Sequence, residues 1–119
     1  MKVAVTAKSP ELDSEVDPRF GRAAYIMVVE SEDMSFEVID NEKNKKAFQG
    51  AGIQAASSVS EKGAEVLLTG YCGPKAFQVV DAAGIKVVND VTGVVKEAVE
   101  NLVAGKYTFS TEANVDAHW

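Results

Sequence analysis

The sequence predicts a three-layer α/β/α domain built on a mixed five-stranded sheet. Short apolar or alternating runs mark three strands before residue 41, and a short polar turn joins the second run to the third. From residue 53 the apolar residues recur at helical spacing, and helical segments alternate with two further buried strands. The predicted order is therefore β-β-β-α-β-α-β-α. Crossover helices then make the last two strands parallel to the first.

The predicted strands follow from their apolar patterns. Lys2 to Thr6 is a short buried strand, and Ala24 to Glu30 is almost continuously apolar. Ser35 to Asp40 alternates between apolar and polar residues, which indicates a strand with one face in solvent. Val66 to Leu68 and Ile85 to Val88 are the two buried strands that lie between helical segments.

The predicted helices combine apolar residues at helical spacing with a glycine stop at Gly63, Gly84 or Gly105. Pro74 occupies the favoured first position of the second helix. The segment 107–119 shows no period, so we expect one domain over residues 1–106 and a flexible C-terminal tail. The three apolar faces comprise Ile53, Ala56, Val59 and Ser60; Ala76, Phe77, Val80 and Ala83; and Val91, Val94, Val95, Ala98, Val99 and Leu102.

Composition narrows the class of function. The 119 residues carry a net charge of −6, which argues against non-specific binding to nucleic acid or to an anionic membrane. No apolar run reaches the roughly 20 residues that span a bilayer, and the N-terminus lacks the features of a signal peptide. The single cysteine fits a reducing compartment, so we expect a cytoplasmic protein. The mostly buried sheet suggests no dimer patch, so we expect a monomer.

Three glycine-containing turns are predicted at one end of the sheet, where strand 1 finishes. They are Arg19-Phe20-Gly21-Arg22, Gly50-Ala51-Gly52 and Gly70-Tyr71-Cys72-Gly73-Pro74, and we call this end the rim. Ligands of open α/β sheets bind at the carboxyl ends of parallel strands. Backbone N–H groups at helix starts suit an anion there. Seven of the 12 basic residues are expected at the same end of the sheet: Lys8, Arg19, Arg22, Lys43, Lys45, Lys46 and Lys75. An equal number of acidic residues is expected there.

Each turn also has a purely structural interpretation. Gly and Pro serve tight strand-to-helix turns by geometry alone, and Gly50-Ala51-Gly52 lacks the spacing of a dinucleotide fingerprint. The two guanidinium groups of Arg19 and Arg22 offer donor forks to an oxo- or thio-anion around an exposed Phe20. Alternatively, Phe20 packs in the core and the arginines pair with nearby acids.

Cys72 is the one residue with soft-ligand or nucleophilic chemistry. Its position beside a helix N-terminus favours the thiolate, which could bind a soft metal; a small structural residue is the alternative. A thiol enzyme would need a base, and the only histidine is His118 in the tail. The ends of strands 1 and 4 also lack the carboxylates of two-metal phosphoryl chemistry, although the topology resembles that of ribonuclease H. We therefore expect no enzymatic activity.

Three segments together resemble the dinitrogenase iron–molybdenum cofactor biosynthesis family, from Met1 to about Lys106. They are Val16-Asp17-Pro18-Arg19-Phe20-Gly21-Arg22-Ala23, Gln49-Gly50-Ala51-Gly52-Ile53-Gln54-Ala55-Ala56 and Thr69-Gly70-Tyr71-Cys72-Gly73-Pro74-Lys75-Ala76-Phe77. Many members have histidine where this chain has Arg19 and Gln49. With arginine at position 19, the chain resembles the branch of the family whose members bind a molybdenum–copper sulfide anion.

The resemblance implies a ribonuclease-H-like domain that binds a metal–sulfur cluster non-covalently, with an iron–molybdenum or iron–sulfur precursor as the alternative cargo. A second hypothesis is a regulatory module that docks a protein partner, in a cluster-delivery or cell-division complex, through the rim and the tail. The expected cluster contacts are Arg19, Phe20, Gly21, Arg22, Lys45, Gly50, Ala51, Gly52, Gly70, Tyr71, Cys72 and Gly73, with Cys72 as the possible metal ligand.

Overall fold

A computed structural model describes residues 1–42 and 50–113. The helices are α1 (Ala51–Glu61), α2 (Pro74–Ala82) and α3 (Val95–Val103). No helix of the described residues has the length and apolar character needed to cross a membrane. The strands are β1 (Lys2–Ala7), β2 (Tyr25–Glu30), β3 (Phe36–Asp40), β4 (Val66–Leu68) and β5 (Lys86–Val88).

The sheet has the strand order β3-β2-β1-β4-β5. β1 pairs antiparallel with β2, and β2 pairs antiparallel with β3. β4 is parallel to β1 and to β5, as crossover helices require. The predicted element order and mixed sheet are therefore confirmed, and the carboxyl ends of β1, β4 and β5 lie at one edge.

Each face of the sheet has its own core, which makes the three layers. Ala4, Ile26 and Leu67 pack on one face with α1 and α2. Val5, Met27 and Leu68 pack on the other face with α3. Along β1 the side chains alternate between these cores because successive residues of a strand point to opposite faces. A nearly continuous apolar strand therefore indicates helices on both sides.

The predicted apolar faces differ from the structure at the periphery. Ile53 and Ala83 are exposed, because α1 buries Ala51, Ala55, Ala56 and Val59 and α2 ends before residue 83. In β3, Phe36 and Val38 lie opposite Val29 and Met27 on the α3 side of the sheet, yet both are exposed. β3 is an edge strand, and α3 packs against the central β1. The apolar residues on the α3 side of β3 are therefore not covered by that helix.

Part of the predicted tail contacts β5. Ser110 donates its backbone N–H to the Val87 carbonyl at 2.7 Å, and its hydroxyl accepts the Asn89 N–H at 3.0 Å. Tyr107 packs against the α3-side core and Ala113 against the other core. No sequence pattern predicted these contacts; flexibility of 107–119 stays a prediction, and His118 and Trp119 lie outside the described residues.

Candidate functional site

Two of the three glycine turns are joined by backbone hydrogen bonds. Phe20 donates its N–H to the Tyr71 carbonyl at 3.0 Å, and Tyr71 donates its own to the Pro18 carbonyl. A Cβ atom on Gly70 would lie 2.6 Å from that same Pro18 oxygen, so only glycine fits there. The turn before β2 and the turn after β4 therefore form one connected surface at the rim.

The third turn meets this surface through α1. Gly21 abuts the backbone at Ala51 and Gly52, and Gly52 in turn faces the Ala76 side chain of α2. The first turns of α1 and α2 are thus neighbours, and the Arg19–Arg22 turn lies beside them. The sequence predicted that the three turns share one end of the sheet, and the structure places them in direct contact.

Among the described residues, neither of these two helices has a side-chain cap at its N-terminus, because the N-cap residue of each is glycine. Gly50 precedes α1 in the left-handed conformation, with φ 77°, and Gly73 precedes α2 in an extended conformation. Pro74 at the first helical position has no N–H to satisfy. The remaining N–H groups of each first turn carry partial positive charge, and a bound anion can accept hydrogen bonds from them.

The basic residues at the rim differ in exposure and in ion pairing. Arg19 is 52% exposed, with its Nε 4.0 Å from the Asp17 carboxylate, whereas Lys8 pairs with Glu15 at 2.9 Å. The Glu15 hydrogen bond raises the pKa of Lys8. Arg22 and Lys75 are exposed, and Lys43, Lys45 and Lys46 lie outside the described residues. Lys8 therefore forms an ion pair, and Arg19, Arg22 and Lys75 are exposed cations of the described residues.

Five predicted contacts are buried rather than accessible: Phe20, Gly21, Ala51, Gly70 and Cys72. Phe20 is buried in the core on the α1 and α2 side, so of the two alternatives the core-packed ring is the one observed. Cys72 is fully buried, and burial raises the pKa of its thiol from 9.0 to about 12. Desolvation therefore outweighs the nearby helix N-terminus, and the expected thiolate is not favoured. Contact of Cys72 with a metal stays a prediction.

A buried polar network supports the rim from below. The Thr6 hydroxyl donates to the Asp17 carbonyl at 2.6 Å and lies 2.9 Å from the Thr69 hydroxyl, which must donate because the Thr6 proton is already used. Asn41 donates from its side chain to the carbonyls of Gly21 and Ala23. Sequence reasoning missed these roles; the only available signal was a threonine at each of two neighbouring strand ends.

The donor set defines what the site can do. Within residues 1–42 and 50–113, no group of three or more His, Cys, Asp or Glu side chains could hold a metal ion. The described donors at the rim are backbone N–H groups, two guanidinium groups and the ammonium groups of Lys8 and Lys75, and the carboxylates of Glu15 and Asp17 lie beside them. Such a set suits an anion that brings its own inorganic ligands. The fold and this surface define the class: an α/β domain whose rim gathers backbone N–H donors and cationic side chains.

The sequence matches the family described as "Dinitrogenase iron-molybdenum cofactor" over residues 1–105. The chain therefore belongs to that family, whose description refers to a metal cofactor. The predicted family is confirmed.

Solved structures agree with this assignment. The apo form of the orange protein from Desulfovibrio gigas is 48% identical, with a TM-score of 0.93 and 96% of each chain covered. A putative NifB protein from Thermotoga is 31% identical, with a TM-score of 0.78 and 91% of each chain covered. A relative found by sequence, an uncharacterized protein of Methanocaldococcus jannaschii, is 29% identical over 89% of this chain and 88% of its own length.

Proposed function

We propose that this protein is a non-catalytic carrier of an anionic metal–sulfur cluster, bound non-covalently at the rim. The observation on which the proposal mainly rests is the direct contact of the Arg19–Arg22 turn with Gly52 at the uncapped start of α1, beside the uncapped start of α2. Two helix N-termini and two arginines then act on one ligand. Each helix end and each charge-assisted hydrogen bond favours an anion.

A sulfide cluster suits this surface better than a small hydrophilic anion such as phosphate. Tyr71 and Ile53 are exposed by 38% and 39%, and each belongs to one of the converging turns or follows it directly. Apolar side chains beside hydrogen-bond donors favour a large, polarisable and weakly hydrated ligand. The sulfides of such a cluster accept hydrogen bonds while its metals need no side-chain ligand.

The proposed cargo is a molybdenum–copper sulfide anion, with an iron–molybdenum precursor as the alternative. The former is what the likeness of the Asp17–Arg22 segment implies, and 48% identity to the orange protein supports that branch. Arginine at position 19 donates hydrogen bonds and does not ligate a metal, which favours a preformed cluster over a bare metal ion.

The experiment is reconstitution of the anaerobically purified protein with tetrathiomolybdate and copper. We expect stoichiometric Mo and Cu by mass spectrometry, with charge-transfer bands in the visible spectrum. Replacing Arg19 and Arg22 together by alanine should weaken uptake by about tenfold or more, because two charge-assisted hydrogen bonds are lost. Circular dichroism of the variant should match that of the wild type.

A matched control removes the same charge elsewhere. Lys86 and Lys106 are exposed, with Lys86 at the start of β5, opposite the rim. The Lys86→Ala, Lys106→Ala variant should bind the cluster as the wild type does. Equal uptake by the Arg19, Arg22 variant would reject the site. A wild-type protein that takes up no metal would reject the carrier function in favour of the partner-docking hypothesis.

A further inference from the structure

Asn41 is buried directly beneath the Arg19–Arg22 turn. It follows the last residue of β3 and is fully buried. Its side-chain nitrogen donates to the Gly21 carbonyl at 3.1 Å and to the Ala23 carbonyl at 2.9 Å. Its backbone N–H donates to the Ala24 carbonyl at 3.0 Å. One residue at the end of β3 therefore holds three carbonyls of the segment that enters β2.

This arrangement determines which dipoles the turn presents at the rim. In a trans peptide the carbonyl oxygen and the N–H of the next residue point in opposite directions. The Gly21 and Ala23 oxygens point toward a buried nitrogen, so they cannot face an anion at the rim, where their partial negative charge would repel it. The same two peptides turn the N–H groups of Arg22 and Ala24 away from Asn41, and the Arg22 N–H closes the turn by donating to the Arg19 carbonyl at 3.3 Å.

Asn41 also fixes the place where the turn meets α1. Gly21 has φ 90°, a conformation that glycine tolerates but does not prefer. Its contact with Gly52 thus needs an external restraint, and the bond from Asn41 to the Gly21 carbonyl supplies one. An asparagine amide suits this role because a single nitrogen offers two protons to two carbonyls.

We infer that Asn41 is a positioning residue for the cluster site: it preorganises the Arg19–Arg22 turn for an anion without touching the ligand. The inference rests on the proposed function and extends it to a residue outside the three glycine turns. A preorganised site loses less conformational entropy on binding, so loosening the turn should weaken affinity even when the domain stays folded.

The test compares two variants by reconstitution with tetrathiomolybdate and copper. Asn41→Leu removes both side-chain donors without adding charge, unlike Asn41→Asp, whose carboxylate would repel an anion by itself. Val99→Ala removes fully buried side-chain volume from the α3-side core, away from the rim. It controls for loss of stability alone. Affinities are measured by visible titration at a temperature where circular dichroism shows both variants folded.

We expect Asn41→Leu to bind up to about tenfold more weakly than the wild type, because binding must then reorder the turn, at a cost no greater than the one to two net hydrogen bonds that Asn41 supplied. Val99→Ala should bind as the wild type does. In the apoprotein, amide hydrogen exchange should be faster at Arg22 in Asn41→Leu and unchanged at Val5. If Asn41→Leu does not fold, Asn41→Ser, which keeps one donor, should show the same weaker affinity.

Two results would overturn the inference while leaving the carrier function intact. The first is wild-type affinity in the folded Asn41 variant. The second is an equal loss of affinity in Val99→Ala, which would show that lower stability alone explains the weaker binding. Failure of the wild type to take up the cluster rejects the carrier function, and the inference with it.

Discussion

Gly21 lies against the backbone of Gly52: a Cβ atom on Gly21 would come within 2.8 Å of both the Cα and the amide nitrogen of Gly52. Gly21 also has φ 90°, which L side chains rarely adopt. The turn before β2 reaches the start of α1 only because position 21 has no side chain. This contact brings Arg19 and Arg22 to the helix N-terminus, so the geometry of the site depends on it.

Gly21→Ala should therefore destabilise the domain and separate the turn from α1. The left-handed conformation alone costs about 1–2 kcal/mol, and the contact with backbone atoms adds to that because backbone cannot move aside cheaply. Thermal unfolding measures the loss. Gly84→Ala is the matched control, because Gly84 has φ 79° but a Cβ atom added there would meet no other atom within 4 Å.

The control should lose only the same conformational cost, about 1–2 kcal/mol. Equal losses in the two alanine variants would show that the Gly21–Gly52 contact adds nothing beyond backbone strain. The cluster titration separates them further, because Gly84→Ala should retain the affinity of the wild type.

Cys72 should react slowly with iodoacetamide in the native protein at pH 8. Burial raises the pKa of its thiol to about 12, so the thiolate that attacks the reagent is scarce, and the side chain is inaccessible as well. Alkylation followed by mass spectrometry measures the rate, with protein in concentrated guanidinium chloride as the reference for a free thiol. Native labelling as fast as that reference would contradict the buried thiol.

The same raised pKa predicts alkaline destabilisation. The folded state holds the Cys72 proton more tightly than the unfolded state, so its stabilising contribution is complete below the unfolded pKa near 9.0. That contribution falls as the pH rises toward about 12. Replacing Cys72 by alanine should flatten the decline in unfolding free energy above pH 9 relative to the wild type.

Cys72 and Phe20 also show where sequence reasoning succeeds and where it stops. Apolar periodicity and glycine stops predicted the element order and the convergence of three turns, because both follow from local pattern and strand direction. Burial at the rim depends on how loops pack over one another, and no local pattern encodes that. The sequence therefore left both residues with two interpretations, a thiolate or a structural residue for Cys72 and an exposed or a buried ring for Phe20.

The roles of Asn41 and Thr6 escaped prediction for a related reason. Each makes hydrogen bonds to residues 11 to 20 positions away in the chain, and a polar residue at a strand end usually starts a loop. Only the assembled sheet shows that both reach the same turn from below. The motifs predicted the surface of the site, but not the polar groups that support it.

Asp33 should titrate below the ordinary range of an aspartate. Its carboxylate accepts the Ser35 hydroxyl at 2.6 Å and the Ser35 N–H at 2.9 Å, and the hydroxyl is the main cause of its lowered pKa. The stabilisation is present above the unfolded pKa of 3.8 and is lost as the pH falls through the folded value. Carboxyl NMR titration of wild type and Ser35→Ala measures the shift.

In Ser35→Ala the pKa of Asp33 should return part of the way to 3.8, because the backbone bond to residue 35 remains. Ser57→Ala, at an exposed position of α1, should leave it unchanged. An identical Asp33 titration in Ser35→Ala and the wild type would show that the hydroxyl does not set the shift.

Thr6 and Thr69 should be energetically coupled. Thr6→Val leaves the Asp17 carbonyl without its donor and the Thr69 hydroxyl without its acceptor in a fully buried place. We expect a loss of about 1–3 kcal/mol in unfolding free energy, measured in urea.

Once Thr6 is valine, replacing Thr69 as well removes a hydroxyl that has already lost this partner. The double variant should therefore lose less than the sum of the single variants. Thr92→Val, at an exposed loop position, controls for the hydroxyl-to-methyl change itself. Strict additivity of the two single losses would mean that the 2.9 Å contact between the hydroxyls does not stabilise the rim.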